Sequence, residues 1–234
     1  MADWGPTSAT WPGPIDREQE KRDVARQLVE RAQDGDVVGA GSGSTSFLAV
    51  LELGRVVAER GIAVVAVPTS YEVARACTAN GLRVASLRDL RPDWAFDGAD
   101  EVDPAGRVIK GRGGAMLRER LVFAAAAERH LLVDSSKLVE RLGQRFAVPL
   151  EVVPEAVSLV ERFVRRDLEV RSAELRTSGG GKDGPVVTEH GNLVLDVAIE
   201  GIDDATEDTL GRIPGVVATG LFTGFDYQLH VAGR

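Results

Sequence analysis

The sequence predicts an α/β protein in two parts, a parallel sheet layered between helices followed by a smaller α+β domain. Three observations predict it. Short apolar runs alternate with stretches of helical period from Arg17 to about Asp134, the pattern of successive βαβ units. Turns rich in Gly, Ser and Thr follow several of those runs, as where strands feed helices. Near Ala147 the order changes to strand, helix, strand, strand, helix, strand, which suits an antiparallel sheet.

Composition limits what such a protein does. A chain of 234 residues, 44% hydrophobic and 27% charged, can bury the cores of two domains. The formal net charge is −8 and no stripe of Lys or Arg stands out, so neither nucleic acid nor an anionic membrane is an expected partner. A small anionic substrate remains compatible, because a few lysines and backbone amides suffice to hold it. The single cysteine, Cys77, cannot form an internal disulfide and reads as a small apolar helix residue. No apolar run approaches the roughly 18 residues that span a bilayer, and the N-terminus lacks a basic region followed by an apolar one. A cytoplasmic enzyme is the expectation.

Residues 1–16 hold three prolines, two glycines and two isolated tryptophans without period, and read as a flexible arm. Val24, Ala25, Leu28, Val29 and Ala32 then recur at helical spacing, and Lys21 lies near the start of that helix. The short strand Val37–Ala40 leads into Gly41-Ser42-Gly43-Ser44-Thr45 and a helix through Phe47, Leu48, Leu51 and Leu53. A strand, a Gly/Ser/Thr turn and a helix N-terminus together suit an anion, and equally a tight turn that needs glycine and a serine cap. The turn is neither a dinucleotide fingerprint nor a P-loop. A strand over 63–67, the turn Pro68-Thr69-Ser70, a helix from Tyr71 to Asn80 and a strand at 82–84 continue the alternation. A Rossmann-like sheet follows, with the turns at 41–45, 69–70, 97–100 and 110–114 expected on one edge, beyond the carboxyl ends of the strands.

The densest chemistry runs from Asp97 to Arg120. Asp97, Asp100, Glu101 and Asp103 crowd seven residues directly after the apolar Trp94-Ala95-Phe96. Neighbouring carboxylates repel, which is useful where a proton must be held or passed. Lys110 supplies counter-charge after Val108-Ile109, and glycines at 111, 113 and 114 let backbone amides approach a ligand. Met116, Glu119, Phe123 and Ala126 fall on one helical face, so Glu119 borders apolar residues and is a candidate proton acceptor.

Past a strand at 130–134 lies Ser135-Ser136-Lys137-Leu138. Strands over 149–153, 168–175, 193–199 and 213–220, with helices over 154–165 and up to about Gly211, describe a ferredoxin-like domain. The Gly179 to Gly184 stretch reads as a hairpin connection. Expected boundaries are 17–146 plus 219–234 for the Rossmann-like catalytic domain and 147–218 for the ferredoxin-like one.

Asp97-Gly98-Ala99-Asp100-Glu101, followed by Lys110-Gly111-x-Gly113-Gly114 and Glu119, closely resembles the A type of ribose-5-phosphate isomerase. Gly41–Thr45 is similar to that family's sugar-phosphate turn, with Ser42 where threonine is usual. Asp134-x-Ser136-Lys137, Gly191-Asn192 with Leu195-Asp196, and Ile213 through Phe222 also match in order, so the resemblance covers about residues 18 to 223. It implies a metal-independent, cofactor-free interconversion of ribose 5-phosphate and ribulose 5-phosphate in the pentose phosphate pathway, by a homodimer or homotetramer. Glu119 would be the base, with Asp97, Asp100 and Lys110 completing the catalytic set. Substrate contacts would come from Lys21, Ser42, Gly43, Ser44, Thr45, Gly98, Ala99, Gly111, Arg112, Gly113 and Lys137. From the residues alone, Lys21 and Lys137 fit ordinary surface lysines as well.

Two departures stand out. Arg112 replaces a common glycine, and the chain ends without the longer tail expected of the family. They keep two rivals open: an isomerase of a modified pentose phosphate, and a sugar-phosphate sensor without turnover. The three histidines show no ligand spacing, and the acidic run lacks the pattern of a calcium loop, so no metal is expected.

Overall fold

The computed structural model describes residues 9–179 and 183–233. In chain order they form α1 (Glu18–Val29), β1 (Val37–Ala40), α2 (Ser44–Arg60), β2 (Val65–Pro68), α3 (Tyr71–Ala79), β3 (Arg83–Val84), β4 (Trp94–Asp97), β5 (Glu101–Val102), β6 (Val108–Ile109) and α4 (Met116–Ala125). Then come β7 (Glu128–Val133), β8 (Val148–Val152), α5 (Val157–Asp167), β9 (Val170–Leu175), β10 (Leu193–Ile199), α6 (Thr206–Gly211), β11 (Val216–Thr219), β12 (Leu221–Phe222) and β13 (Gln228–Val231). The chain divides into two compact units, one of residues 1–98, 121–136 and 226–234, the other of 99–120 and 137–225.

The first unit is the expected Rossmann-like layer. Its six strands lie in the order β13-β7-β4-β1-β2-β3, and every neighbouring pair is parallel. Side chains alternate across such a sheet. Val38 and Ala40 therefore join one core with residues of α1, α2 and α3, including Leu28, Leu53 and Ala76. On the other face, a Cβ on Gly39 would fall 2.5 Å from Val122 of α4 and 2.6 Å from Ala95, so only a glycine lets that helix come so close. Each large apolar side chain taken out of water here contributes roughly 1.5–3 kcal/mol. Cys77 is fully buried in this core, and burial pushes its thiol up to about 12, as a structural cysteine should be.

The second unit contains two sheets. β11-β8-β10-β9 is antiparallel, the order a βαββαβ chain gives, with α5 burying Val160 and Val164 against it. Arg176 N donates to Val194 O, and Thr177 pairs with Pro185, so the flanks of the 179–184 stretch meet as a hairpin; residues 180–182 lie outside the described ones. The other sheet, β12-β6-β5, is also antiparallel.

By compactness 99–120, 137–146 and 219–225 group with the second unit, where Ile109 and Leu221 join its core. Two expectations change. The 110–114 turn follows an antiparallel strand, so of the four turns expected on one edge 41–45, 69–70 and 97–98 sit at carboxyl ends of the parallel sheet and 110–114 does not. Within the expected arm, residues 9–16 are irregular, yet Trp11 packs on Phe47 with ring centroids 5.6 Å apart and Ala9 touches the core. Trp4 lies outside the described residues.

Candidate functional site

In the first unit the 41–46 turn is built around Asp97. This carboxylate, fully buried at the end of β4, accepts from Ser42 N at 3.1 Å, Gly98 N at 2.7 Å and Ser46 Oγ at 3.3 Å. Three donors on one oxygen suit the ionised form. The approach requires Gly41, where a Cβ would stand 2.2 Å from the Asp97 carboxyl carbon. Gly43 adopts a φ of 92° and leads into α2, whose N-terminus no side chain caps. By contrast, α3 has its first turn closed by Ser70 Oγ, which accepts from Val73 N. An uncapped N-terminus presents amides and the positive end of the helix dipole, the elements of an anion site.

Charge complements that terminus. Lys21 is 5% exposed; its Nζ donates to Ser44 Oγ at 3.2 Å and lies 3.7 Å from Asp134. A surface lysine would not be found there. Ser42 Oγ meets the buried Thr69 Oγ1 at 2.6 Å. Sequence reading placed Thr69 in its turn without a role, and Asp134 only within a matched segment. Gly98 borders Ser42 and Thr45.

In the second unit Lys110 and Glu119 form an ion pair at 3.4 Å, with side chains 3% and 5% exposed. Glu119 shares its buried face with Met116 and Phe123, as the helical spacing predicts. Lys110 Nζ also lies 5.7 Å from the centre of the Phe222 ring, which Arg120 approaches at 4.5 Å. Arg120 is held in turn by Glu207 at 2.6 Å and by the Leu221 carbonyl. Sequence reading included Arg120 and Phe222 only within longer stretches and gave neither a role, because their contacts form where α4 meets the two-residue strand β12, which no periodicity marks.

The crowded carboxylates are parted. Glu101 accepts from the amides of Gly143, Arg145 and Phe146 at 2.7, 2.5 and 2.9 Å, and Asp103 from Arg107. Both stabilise turns. Asp100 accepts from Arg112 N at 3.0 Å and thereby borders the glycine-rich turn. Arg112 and Lys137 each place their charge over Phe146, at 5.5 and 5.7 Å from its centre. Ala99 and Asp100 are partly exposed, as is Lys137, whereas Gly111 is buried and Gly113 exposed. Among the described residues no three His, Cys, Asp or Glu converge as metal ligands would.

The chain is similar to known proteins along most of its length. Residues 65–234 match the family model described as ribose 5-phosphate isomerase A (phosphoriboisomerase A). The chain belongs to that family. A relative named ribose-5-phosphate isomerase A from Methanothermobacter thermautotrophicus is 48% identical over 87% of this chain and 89% of its own. One from Thermosynechococcus vestitus is 44% identical over 87% of each. The solved ribose 5-phosphate isomerase A of Methanocaldococcus jannaschii superposes with a TM-score of 0.88 at 37% identity, covering 94% of this chain and 96% of that one. A further D-ribose-5-phosphate isomerase, solved in complex with phospho-erythronic acid, gives 0.87 at 36% identity over 93% and 96%.

Proposed function

We propose that this protein interconverts D-ribose 5-phosphate and D-ribulose 5-phosphate through an enediol intermediate, a step of the non-oxidative pentose phosphate pathway. The observation that carries the reading is the buried Lys110–Glu119 pair. Desolvating two charges offsets most of their attraction, so such a pair adds little net stability. A carboxylate kept on an apolar face beside a lysine instead suits proton transfer.

Glu119 takes the proton from C2 of the aldose and returns it to C1. Lys110 and the amides of Gly111–Gly114 stabilise the charge that develops on O1 and O2. An aspartate, Asp97 or Asp100, accepts a hydroxyl proton as the furanose ring opens. The phosphate is taken by Ser42, Gly43, Ser44 and Thr45 with Lys21 and Lys137, so that its binding energy orients the reacting carbons. Gly98, Ala99, Gly111, Arg112 and Gly113 line the sugar. Lysine and amide dipoles supply the electrophile in this scheme, which therefore needs no metal or organic cofactor. Family likeness supports a cytoplasmic homodimer or homotetramer.

Proton exchange tests the reading. In deuterated water the wild type should wash deuterium into C2 of ribose 5-phosphate. Glu119→Gln should slow this at least about 10³-fold, within the range a general base supplies, while ribose 5-phosphate still binds. Exchange at the wild-type rate in that variant would remove Glu119 from the mechanism.

A further inference from the structure

We propose that Arg176, braced by Asp196, is a positioning residue that sets the direction of the peptides at 111–113, and so orients Asp100 through the Arg112 amide and aims the Gly113 amide at the reacting end of the substrate. The proposal rests on the isomerase reading above and extends it to a residue outside the catalytic set.

Arg176 follows β9 and donates Nη1 to the carbonyl oxygens of Gly111 at 2.9 Å and Arg112 at 2.6 Å. Its other face is locked by Asp196 of β10, which accepts from Nε at 2.8 Å and from Nη2 at 2.5 Å. The guanidinium fork is therefore fixed by a carboxylate before it reaches the turn, an arrangement only arginine can make. Arg176 is also anchored through its backbone, its N donating to Val194 O and its carbonyl accepting from Val186 N.

Peptide geometry carries the consequence. In a trans peptide the C=O and the N–H of the next residue point in opposite directions. Drawing the 111 and 112 carbonyls toward Arg176 turns the N–H groups of Arg112 and Gly113 away from it. The first of these amides is seen on that far side, donating to Asp100 Oδ2 at 3.0 Å. The second, on the exposed Gly113, is directed by the same constraint. Gly111 accepts a further bond from Gly114 N at 3.0 Å and holds a φ of 93°, with Met116 and Pro149 each 3.0 Å from where a Cβ would stand. The turn is thus fixed along its length. Asp100 and two amides are oriented together by one arginine 65 positions further along the chain.

Donors aimed in advance at developing charge act on the transition state more than on the bound substrate. Arg176→Met should therefore lower kcat on ribose 5-phosphate about 100-fold, the scale of a misplacement near one ångström, with KM changed less than about threefold. Asp196→Asn, which loosens the brace and leaves the fork, should fall between Arg176→Met and the wild type. Two inhibitors separate positioning from general damage. Phospho-erythronic acid, whose carboxylate stands in for the enediolate, should bind Arg176→Met at least tenfold more weakly, whereas inorganic phosphate should inhibit it as it does the wild type. Rates are taken per folded molecule, from the amplitude of thermal unfolding. A variant with wild-type kcat, or one that loses both inhibitors equally, overturns the proposal. Should Arg176→Met not fold, Arg176→Lys and Asp196→Asn decide by the same inhibitor ratio. An inactive wild type would overturn the isomerase reading instead.

Discussion

In the first unit Asp97 and Asp134 stand at carboxyl ends of parallel strands, and the groups that meet them are amides and hydroxyls of the adjoining turns, with Lys21 beside Asp134. In the second, Lys110 and Glu119 follow an antiparallel hairpin, and their surroundings are set by long side chains: Phe222 under Lys110, Arg120 across that ring, and Arg176 on the glycine-rich turn. Strand topology alone delivers polar turns to one edge in the first case. In the second, no rule of topology does so, and side-chain braces take its place. The first kind of geometry should fail when the sheet is weakened. The second should fail when single side chains are removed.

The largest effect expected in the first unit follows from acid. His130 of β7 is fully buried; its Nδ1 meets His230 Nε2 of β13 at 3.0 Å, and Arg31 contacts its other nitrogen. Burial, then Arg31, then His230, hold His130 down to about 4 from its ordinary 6.5, with Glu128 opposing weakly. His230 is lowered as well, by burial and then Arg31. Between those values the unfolded chain binds a proton that the folded one does not. Stability is therefore full above about pH 6.5 and is lost as the pH falls to about 4, by about 3 kcal/mol for His130. Urea midpoints at pH 7 and 4.5 should show most of that loss in the wild type and a smaller one in His130→Gln. Amide exchange at Ala232, bonded to Val133 O at 2.9 Å, should quicken over the same range. An equal loss in both proteins would show that the histidine pair does not govern the sheet's edge.

The same contrast explains what could be read from the chain. The strands at 37–40, 65–68 and 94–97 and the turns after them were legible, because apolar runs, glycines and hydroxyls obey local rules. Lys21 and Ser44 could be named, although their contact could not be derived from spacing. Strand β13 went unread: Gln228–Val231 offers four residues of mixed polarity, and only pairing with β7 makes them a strand. Strands β5, β6 and β12 have two residues each and show no period. Arg120, Arg176 and the histidine pair depend on partners far along the chain, and an arginine in sequence does not announce which carbonyl it will meet. The carboxylate cluster was legible as a cluster, but not the division that gives Glu101 to the 143–146 turn and Asp103 to Arg107, and leaves Asp97 and Asp100 beside the turns at 41–46 and 111–114.

A smaller effect separates binding from chemistry at the phosphate end. Lys21 reaches Ser44 Oγ and Asp134 from a buried position, so Lys21→Met removes the cation assigned to the phosphate and leaves the α2 terminus in place. A hydrogen bond to a charged group is worth about 1.5–3 kcal/mol. The KM for ribose 5-phosphate should accordingly rise about 10- to 100-fold, with kcat within about threefold, and inhibition by inorganic phosphate should weaken in step. An unchanged KM would return Lys21 to a structural role beside Asp134.

The smallest effect sharpens the contrast within the second unit. What Arg112 gives to the glycine-rich turn is its backbone, since its N–H meets Asp100 and its carbonyl meets Arg176, while its exposed side chain rests over Phe146. An exposed cation over a ring is worth about 0.5–1 kcal/mol. Arg112→Gly keeps both backbone bonds and adds some freedom to the unfolded chain. Its kcat/KM for ribose 5-phosphate should therefore stay within about threefold of the wild type, with no gain on other pentose phosphates. A tenfold change in preference among those substrates would mean that the guanidinium touches the sugar. Such a result would favour a modified pentose phosphate as the true substrate, because the side chain would then be reading a group that ribose 5-phosphate lacks.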